Sequence, residues 1–305
     1  MKNKYLKIPL KQIKNVFEQI NSKSIISMVK RIQKQLVTNK SLIKNNDDVY
    51  KIVTQADIEI QKYLLNYFEN SSLKGTYEVI AEESITNRNR NNNRNVTWKL
   101  LIDPLDGTSC FRKQKETWGV MVGACDLSGV LQYSWNMVSS GEIYSSKTAE
   151  RNPIKRDSFL ERVAKGKKLA IDVYDYGTGA IDNFKTPFEQ TYGVTSSQYE
   201  ITGYPAAIWA GWQLYQKKLN GLLWLPSNQG KKWYPDYDLI FLGALQKKGY
   251  EILIGKIKNN NALIAVAPTK KDVEKLYQIG TNLVPKQLKT KIIKTTDLSI
   301  INNLT

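Results

Sequence analysis

Asp103 and Asp106 lie three positions apart in Leu100-Leu101-Ile102-Asp103-Pro104-Leu105-Asp106-Gly107-Thr108, where an apolar run passes into two acids, a proline, a glycine and a hydroxyl. Pro104 has no backbone donor and Gly107 tolerates a positive φ, so the chain is expected to leave its strand here in a rigid turn. Two carboxylates held on such a turn repel each other unless a cation neutralises them. Hard oxygen donors of this kind suit magnesium, with manganese as an alternative. If a helix starts after Gly107, the amides of Gly107 and Thr108 have no internal partners and can hold an anion. Metal and phosphate would then meet at one point. The same residue types also make an ordinary surface turn, so the pair needs support from the rest of the chain.

The sequence contains no histidine. This excludes a His-based triad, His-liganded zinc and phosphohistidine chemistry, and leaves acid-base work to carboxylates, hydroxyls and activated water. Cys110 and Cys125 are too few for a disulfide framework, have no metal-type spacing and do not open a Cys-x5-Arg motif. No Gly-Lys-Ser/Thr phosphate loop occurs, and Gly177-Thr178-Gly179 alone is too weak for a nucleotide loop. The formal charge is +17, but Lys, Asn and Ile are abundant everywhere in the chain. That is a compositional bias rather than one basic face, so a nucleic-acid partner is disfavoured and attraction of a small phosphorylated metabolite is favoured. No apolar run reaches a membrane span and the start lacks a signal-peptide core, so a cytoplasmic protein with no membrane partner is expected.

The elements that must position these residues can be read from periodicity. With 305 residues and 41% hydrophobic composition the chain can bury a sizeable core. Ile13, Val16, Phe17 and Ile20, then Ile25, Met28, Val29, Ile32 and Leu36, recur at helical spacing and predict one or two amphipathic helices over 10–42. Val53-Thr54-Gln55-Ala56-Asp57 opens another helix with Ile60, Leu64, Leu65 and Phe68 on its apolar side, and an acid such as Asp57 suits the start of a helix. A strand over 77–81 ends in Glu82-Glu83-Ser84, and adjacent acids after a buried strand are costly without a counter-ion. Beyond the central turn, 118–125, 129–135 and 141–145 read as strands, 150–158 as a less organised stretch, 159–164 as a helix and 169–173 as a strand. Thr202-Gly203-Tyr204-Pro205-Ala206-Ala207 leads into a helix, 220–225 into a turn and strand, 239–245 into an apolar helix, and 251–279 into strands and a closing helix.

The string Trp98-x-x-x-Ile102-Asp103-Pro104-Leu105-Asp106-Gly107-Thr108 resembles the signature of the inositol monophosphatase superfamily of metal-dependent, lithium-sensitive phosphatases. The resemblance extends over roughly 48–276. It implies an α/β (α+β) fold, a layered αβαβα sandwich of the inositol monophosphatase and sugar phosphatase type. It further implies that Glu82, Asp103, the backbone carbonyl of Leu105, Asp106 and Asp238 bind two or three magnesium ions. Asp57, in a match to the family's Val-Thr-x-Ala-Asp, and Thr108 would position and help deprotonate the attacking water. Glu82-Glu83-Ser84 matches the family's Gly-Glu-Glu-Ser, with Ala81 replacing the glycine and Glu83 in a neighbouring role. The final ligand is normally written Trp-Asp. Here Trp233-Tyr234-Pro235-Asp236-Tyr237-Asp238 displaces the tryptophan, so Asp236 stays open as the alternative. An Asp-x-Asp also resembles haloacid-dehalogenase phosphatases, but there it follows a buried strand near the start of the domain.

By the same resemblance the substrate is inositol monophosphate or a similar small phosphate ester, and a homodimer is compatible because dimers are common in the family. Inositol-specific members carry an acid in the segment before the last ligand. Here 221–235 has none and offers Lys231 and Lys232 instead, while Lys51 stands at a position often acidic in relatives. Two lysines facing the site would suit a second phosphate, as in a 3'(2'),5'-bisphosphate nucleotide; otherwise they are solvated surface residues. A non-catalytic basic protein that has kept the fold is a third reading. The chain is expected to divide into an N-terminal α+β half over 1–155, a C-terminal α/β half over 156–285 carrying the last ligand, and a tail over 286–305.

Overall fold

The computed structural model describes residues 9–38, 43–44, 53–82, 96–174, 180–226, 236–257, 261–284, 293–295 and 298. The chain opens with α1 (Leu10–Phe17), α2 (Ser22–Thr38), a two-residue pair β1 (Ile43–Lys44) and β2 (Val53–Thr54), and α3 (Gln55–Glu69). The first large sheet follows: β3 (Tyr77–Ala81), β4 (Trp98–Asp106), the short α4 (Thr108–Arg112), β5 (Gly119–Asp126), β6 (Leu131–Val138) and β7 (Ile143–Ser145). Helices α5 (Ser146–Arg151) and α6 (Phe159–Ala164) begin at Ser145 and Ser158, each closing a reciprocal capping box. Then come β8 (Leu169–Tyr174), α7 (Ala180–Tyr192), β9 (Tyr199–Thr202), α8 (Ala207–Tyr215), β10 (Gly221–Trp224), a 3-10 turn (Asp236–Leu239), α9 (Phe241–Lys248), β11 (Glu251–Ile257), β12 (Asn261–Ala267), α10 (Lys270–Leu283) and β13 (Ile293–Thr295).

The first sheet has the order β3-β4-β5-β6-β7, with β3 parallel to β4 and every other pair antiparallel. The second has the order β13-β11-β12-β10-β8-β9, with β9, β8 and β10 parallel and the remainder antiparallel. Strand alternation gives both sheets two buried faces. Leu100 and Ile102 pack with Ile13, Phe17, Ile60 and Phe68 of the first three helices, whereas Leu101 and Met121 face Ile208, Leu214 and Phe241 of α8 and α9. In the second sheet Leu222, Trp224, Ile264 and Val266 join that same middle cluster, while Leu223, Leu263 and Ala265 pack with Phe159, Phe184, Phe188 and Leu276 on the far side. The result is the expected α/β sandwich of five layers, helix, sheet, helix, sheet, helix. Among the described residues no helix is long and apolar enough to cross a membrane.

Three local readings change. Strand β4 does not end at Asp103 but continues through Pro104 to Asp106, with its register to β5 shifted between Asp103 and Asp106. Pro104 fits there because β3 has already ended at Ala81, and the bulged stretch asks for no ladder donor on that side. Residues 146–151, partly inside the stretch read as less organised, form α5. Helix α7 was not expected: Pro187 sits inside it, yet Phe184, Phe188 and Tyr192 are buried at i, i+4 and i+8.

Candidate active site

Four separate elements bring acids toward the end of β4. Asp103 is 1% exposed there. In the parallel register Ala81 pairs with Ile102, and the Glu82 N–H donates to the Ile102 carbonyl at 3.3 Å, so Glu82 leaves the sheet beside Asp103. Helix α3 packs on β4 with Asp57 buried in its first turn, and the 3-10 turn bearing Asp238 packs on β4 and β5. Burial, followed by the charges of Glu82, Asp106, Asp238 and Asp57, holds the Asp103 carboxyl well above the usual carboxylate range.

The turn itself is tied locally. The Leu105 N–H donates to Asp103 Oδ1 at 3.1 Å, and Thr108 Oγ1 donates to the Leu105 carbonyl at 2.9 Å. Helix α4 starts at Thr108 after Gly107, whose φ is +84°. A Cβ on Gly107 would stand 2.7 Å from the Thr117 carbonyl oxygen and 2.9 Å from the Ala206 methyl, so glycine is required by conformation and by space.

Asp106 is held from across the molecule. The Ile208 N–H, in the first turn of α8, donates to Asp106 Oδ2 at 2.6 Å, and the amides of Ala207 and Gly107 also bond to this carboxylate. Burial nevertheless pushes Asp106 up to about 7. Tyr144 Oη, from β7, donates to the Ile208 carbonyl at 2.8 Å. Gly119, opposite Asp106 in the sheet register, lacks the side chain that would collide with Ile208. Sequence reading missed both Tyr144 and the α8 amides. It also missed Asp172, an acid inside the apolar strand β8, which was the one visible signal.

The donors fit a hard divalent cation: the charges acting most strongly on Asp103 are carboxylates, and every candidate ligand is oxygen. As the side chains stand, the acids remain at electrostatic range. Among the described residues no three acidic or thiol groups close tightly enough to hold an ion. Mutual repulsion opposes such closure until a cation neutralises it. Lys231, Lys232, Glu83 and Lys51 lie outside the described residues, and for Asp236 only the backbone, at the head of the 3-10 turn, is described.

A model of the inositol monophosphatase family matches residues 11–165, just over half of the chain. The chain belongs to the inositol monophosphatase family. Solved structures of the same fold include the extragenic suppressor protein SuhB from Bartonella henselae, 14% identical, covering 88% of this chain and 97% of that one with a TM-score of 0.63. A dual inositol monophosphatase/NADP phosphatase, complexed with Mg2+ and phosphate, is 14% identical over 88% of this chain and 95% of its own, with a TM-score of 0.58. A staphylococcal inositol monophosphatase soaked in LiCl as an inhibitory complex is 14% identical over 89% and 95%, also at 0.58. No curated protein matches the chain.

Proposed function

We propose that this member of the inositol monophosphatase family is a magnesium-dependent phosphate monoester hydrolase acting on inositol monophosphate or a similar small phosphate ester. The observation that carries the reading is the burial of Asp103 within electrostatic range of Glu82, Asp106, Asp238 and Asp57, an arrangement that costs stability unless cations are present. Glu82, Asp103, the Leu105 carbonyl, Asp106 and Asp238 would hold two or three ions, with manganese as a substitute. Bound magnesium lowers the pKa of water, polarises phosphoryl oxygens and offsets charge on the leaving alkoxide. Thr108 Oγ1 would orient the attacking water, and Asp57, buried in the first turn of α3, would take its proton. The Thr108 amide would meet the phosphate, whereas the Gly107 amide, also expected to do so, already bonds to Asp106.

The test is phosphate release from inositol 1-phosphate, 3'-phosphoadenosine 5'-phosphate and NADP with magnesium, with and without lithium. Magnesium-dependent, lithium-inhibited turnover of at least one substrate is expected. Equal turnover in a chelator would end the reading. A bisphosphate nucleotide is favoured by one observation, the exchange of an acid for Lys231 and Lys232 in 221–235. If it is the substrate, Lys231→Ala with Lys232→Ala should raise its KM and leave that of inositol 1-phosphate unchanged.

A further inference from the structure

Asp172 occupies the centre of the apolar strand β8 and is 0% exposed. A carboxylate is tolerated in such a place only when donors replace the water it has lost. Three do so. Asp172 Oδ1 accepts the Tyr204 N–H at 2.9 Å and the Thr202 hydroxyl at 3.2 Å, and Oδ2 accepts Trp224 Nε1–H at 3.2 Å. Burial still pushes the carboxyl up to about 6, with these three bonds acting against the shift.

Two of the three donors stand at the start of the short connection from β9 to α8: Thr202 ends β9 and Tyr204 lies just beyond it. At the other end of the connection the Ala206 methyl covers Gly107, and the next two amides, of Ala207 and Ile208, bond to Asp106. Only Pro205 and Ala206 separate Tyr204 from Ala207, and Pro205 restricts both itself and Tyr204. A displacement at Tyr204 therefore has little slack in which to die out before it reaches Ile208.

We propose that Asp172 is a positioning residue: by gripping the segment 202–204 it sets where the first turn of α8 meets Asp106, and so the aim of the Asp106 carboxylate toward a bound cation. The inference rests on the assignment of Asp106 to the metal site.

The test is calorimetric titration of the full chain with Mg2+ alone, beside the melting temperature of the metal-free protein. Asp172→Asn keeps size and shape but turns one acceptor into a donor. With the remaining oxygen toward Tyr204 and Thr202, the new NH2 confronts Trp224 Nε1–H. Uptake should weaken about tenfold, the usual order for loss of an outer partner of a metal ligand. Trp224→Phe removes the opposing donor, so the double variant should bind Mg2+ as Trp224→Phe alone does, a rescue that simple loss of core stability would not produce.

Wild-type affinity in Asp172→Asn, or no rescue by Trp224→Phe, with uptake abolished in Asp106→Asn, would overturn the positioning role and leave the metal assignment standing. Undiminished uptake in Asp106→Asn would overturn both. Should Asp172→Asn not fold, Thr202→Val carries the test. It removes one donor without stranding a charge; a severalfold weaker uptake supports the proposal and unchanged uptake overturns it.

Discussion

The Ile208 N–H donates to Asp106 Oδ2 at 2.6 Å across 102 positions of sequence. Asp106 ends β4, next to the edge of the first sheet, and Ile208 lies in the first turn of the helix that follows the edge strand β9 of the second. The negative carboxylate suits the positive end of α8, and the helix in turn fixes the direction in which the carboxylate points. Neither sheet by itself forms this contact.

Asp106→Asn places an amide NH2 among backbone donors and removes a charge, and Glu82→Gln removes a charge beside Asp103. Each should reduce phosphate release by more than the roughly 10- to 100-fold that follows loss of an outer partner of a ligand. Steady-state kinetics at saturating magnesium measure this. Activity within a few-fold of the parent in both would remove the two acids from the proposed metal site.

Tyr144→Phe deletes a buried hydroxyl that bonds to the Ile208 carbonyl at 2.8 Å. The expected cost is about 0.5–1.5 kcal/mol of stability, the ordinary net contribution of a hydrogen bond. Because that hydroxyl helps seat the first turn of α8, the apparent affinity for magnesium should also fall. Urea denaturation and a magnesium titration report the two effects separately.

Gly107→Ala and Gly166→Ala make a matched pair. Both glycines have positive φ, +84° and +69°, but a Cβ at Gly107 meets backbone and the Ala206 methyl, whereas at Gly166 it meets nothing within 4 Å. The exposed site should lose about 1–2 kcal/mol from the left-handed conformation alone. Gly107→Ala adds overpacking of about 1–3 kcal/mol and should abolish activity by lifting Ala206 from the turn. Equal losses in denaturant would contradict the close approach.

The metal-free protein should melt at progressively lower temperature as pH rises from about 4 to about 7. Burial pushes Asp172 up to about 6 and Asp106 up to about 7, and raises Asp103 as well. A raised folded-state pKa means the folded chain binds the proton more tightly, so the stabilisation is complete below the unfolded value and is lost on passing through the folded one. Asp157 and Glu161 shift downward and act in the opposite sense, but Glu161 is exposed and Asp157 only half-buried beside Lys155 and Lys165, so solvent screens both. Magnesium should therefore raise the melting temperature more at about pH 7.5 than at about pH 5.5, where protons compete for the same oxygens. Scanning calorimetry checks this, and a metal-free protein that melts higher at neutral pH would refute it.

Much of the scaffold was legible because local rules operate over a few residues. The spacing of Ile60, Leu64 and Phe68 marked α3, the helix expected over 159–164 is α6, and the strand over 77–81 carried its own apolar signal. Helix α7 was not legible: Pro187 spoke against a helix, and the burial of Phe184, Phe188 and Tyr192 under the second sheet overrode it. The continuation of β4 through Pro104 likewise depended on its neighbour β3 having ended.

Sequence alone determined the chemistry on offer: no imidazole, a run of carboxylates, and a turn whose proline and glycine make it rigid. These follow from residue type and from spacings of a few positions. Tertiary structure decided which acids come together, that α8 rather than solvent meets Asp106, and that the acid hidden in β8 grips the segment leading there. The physical reason is that burial and hydrogen bonding act through space. Alternation along a strand fixes which face a side chain takes, while the layer packed against that face is set only when both sheets close on the helices between them.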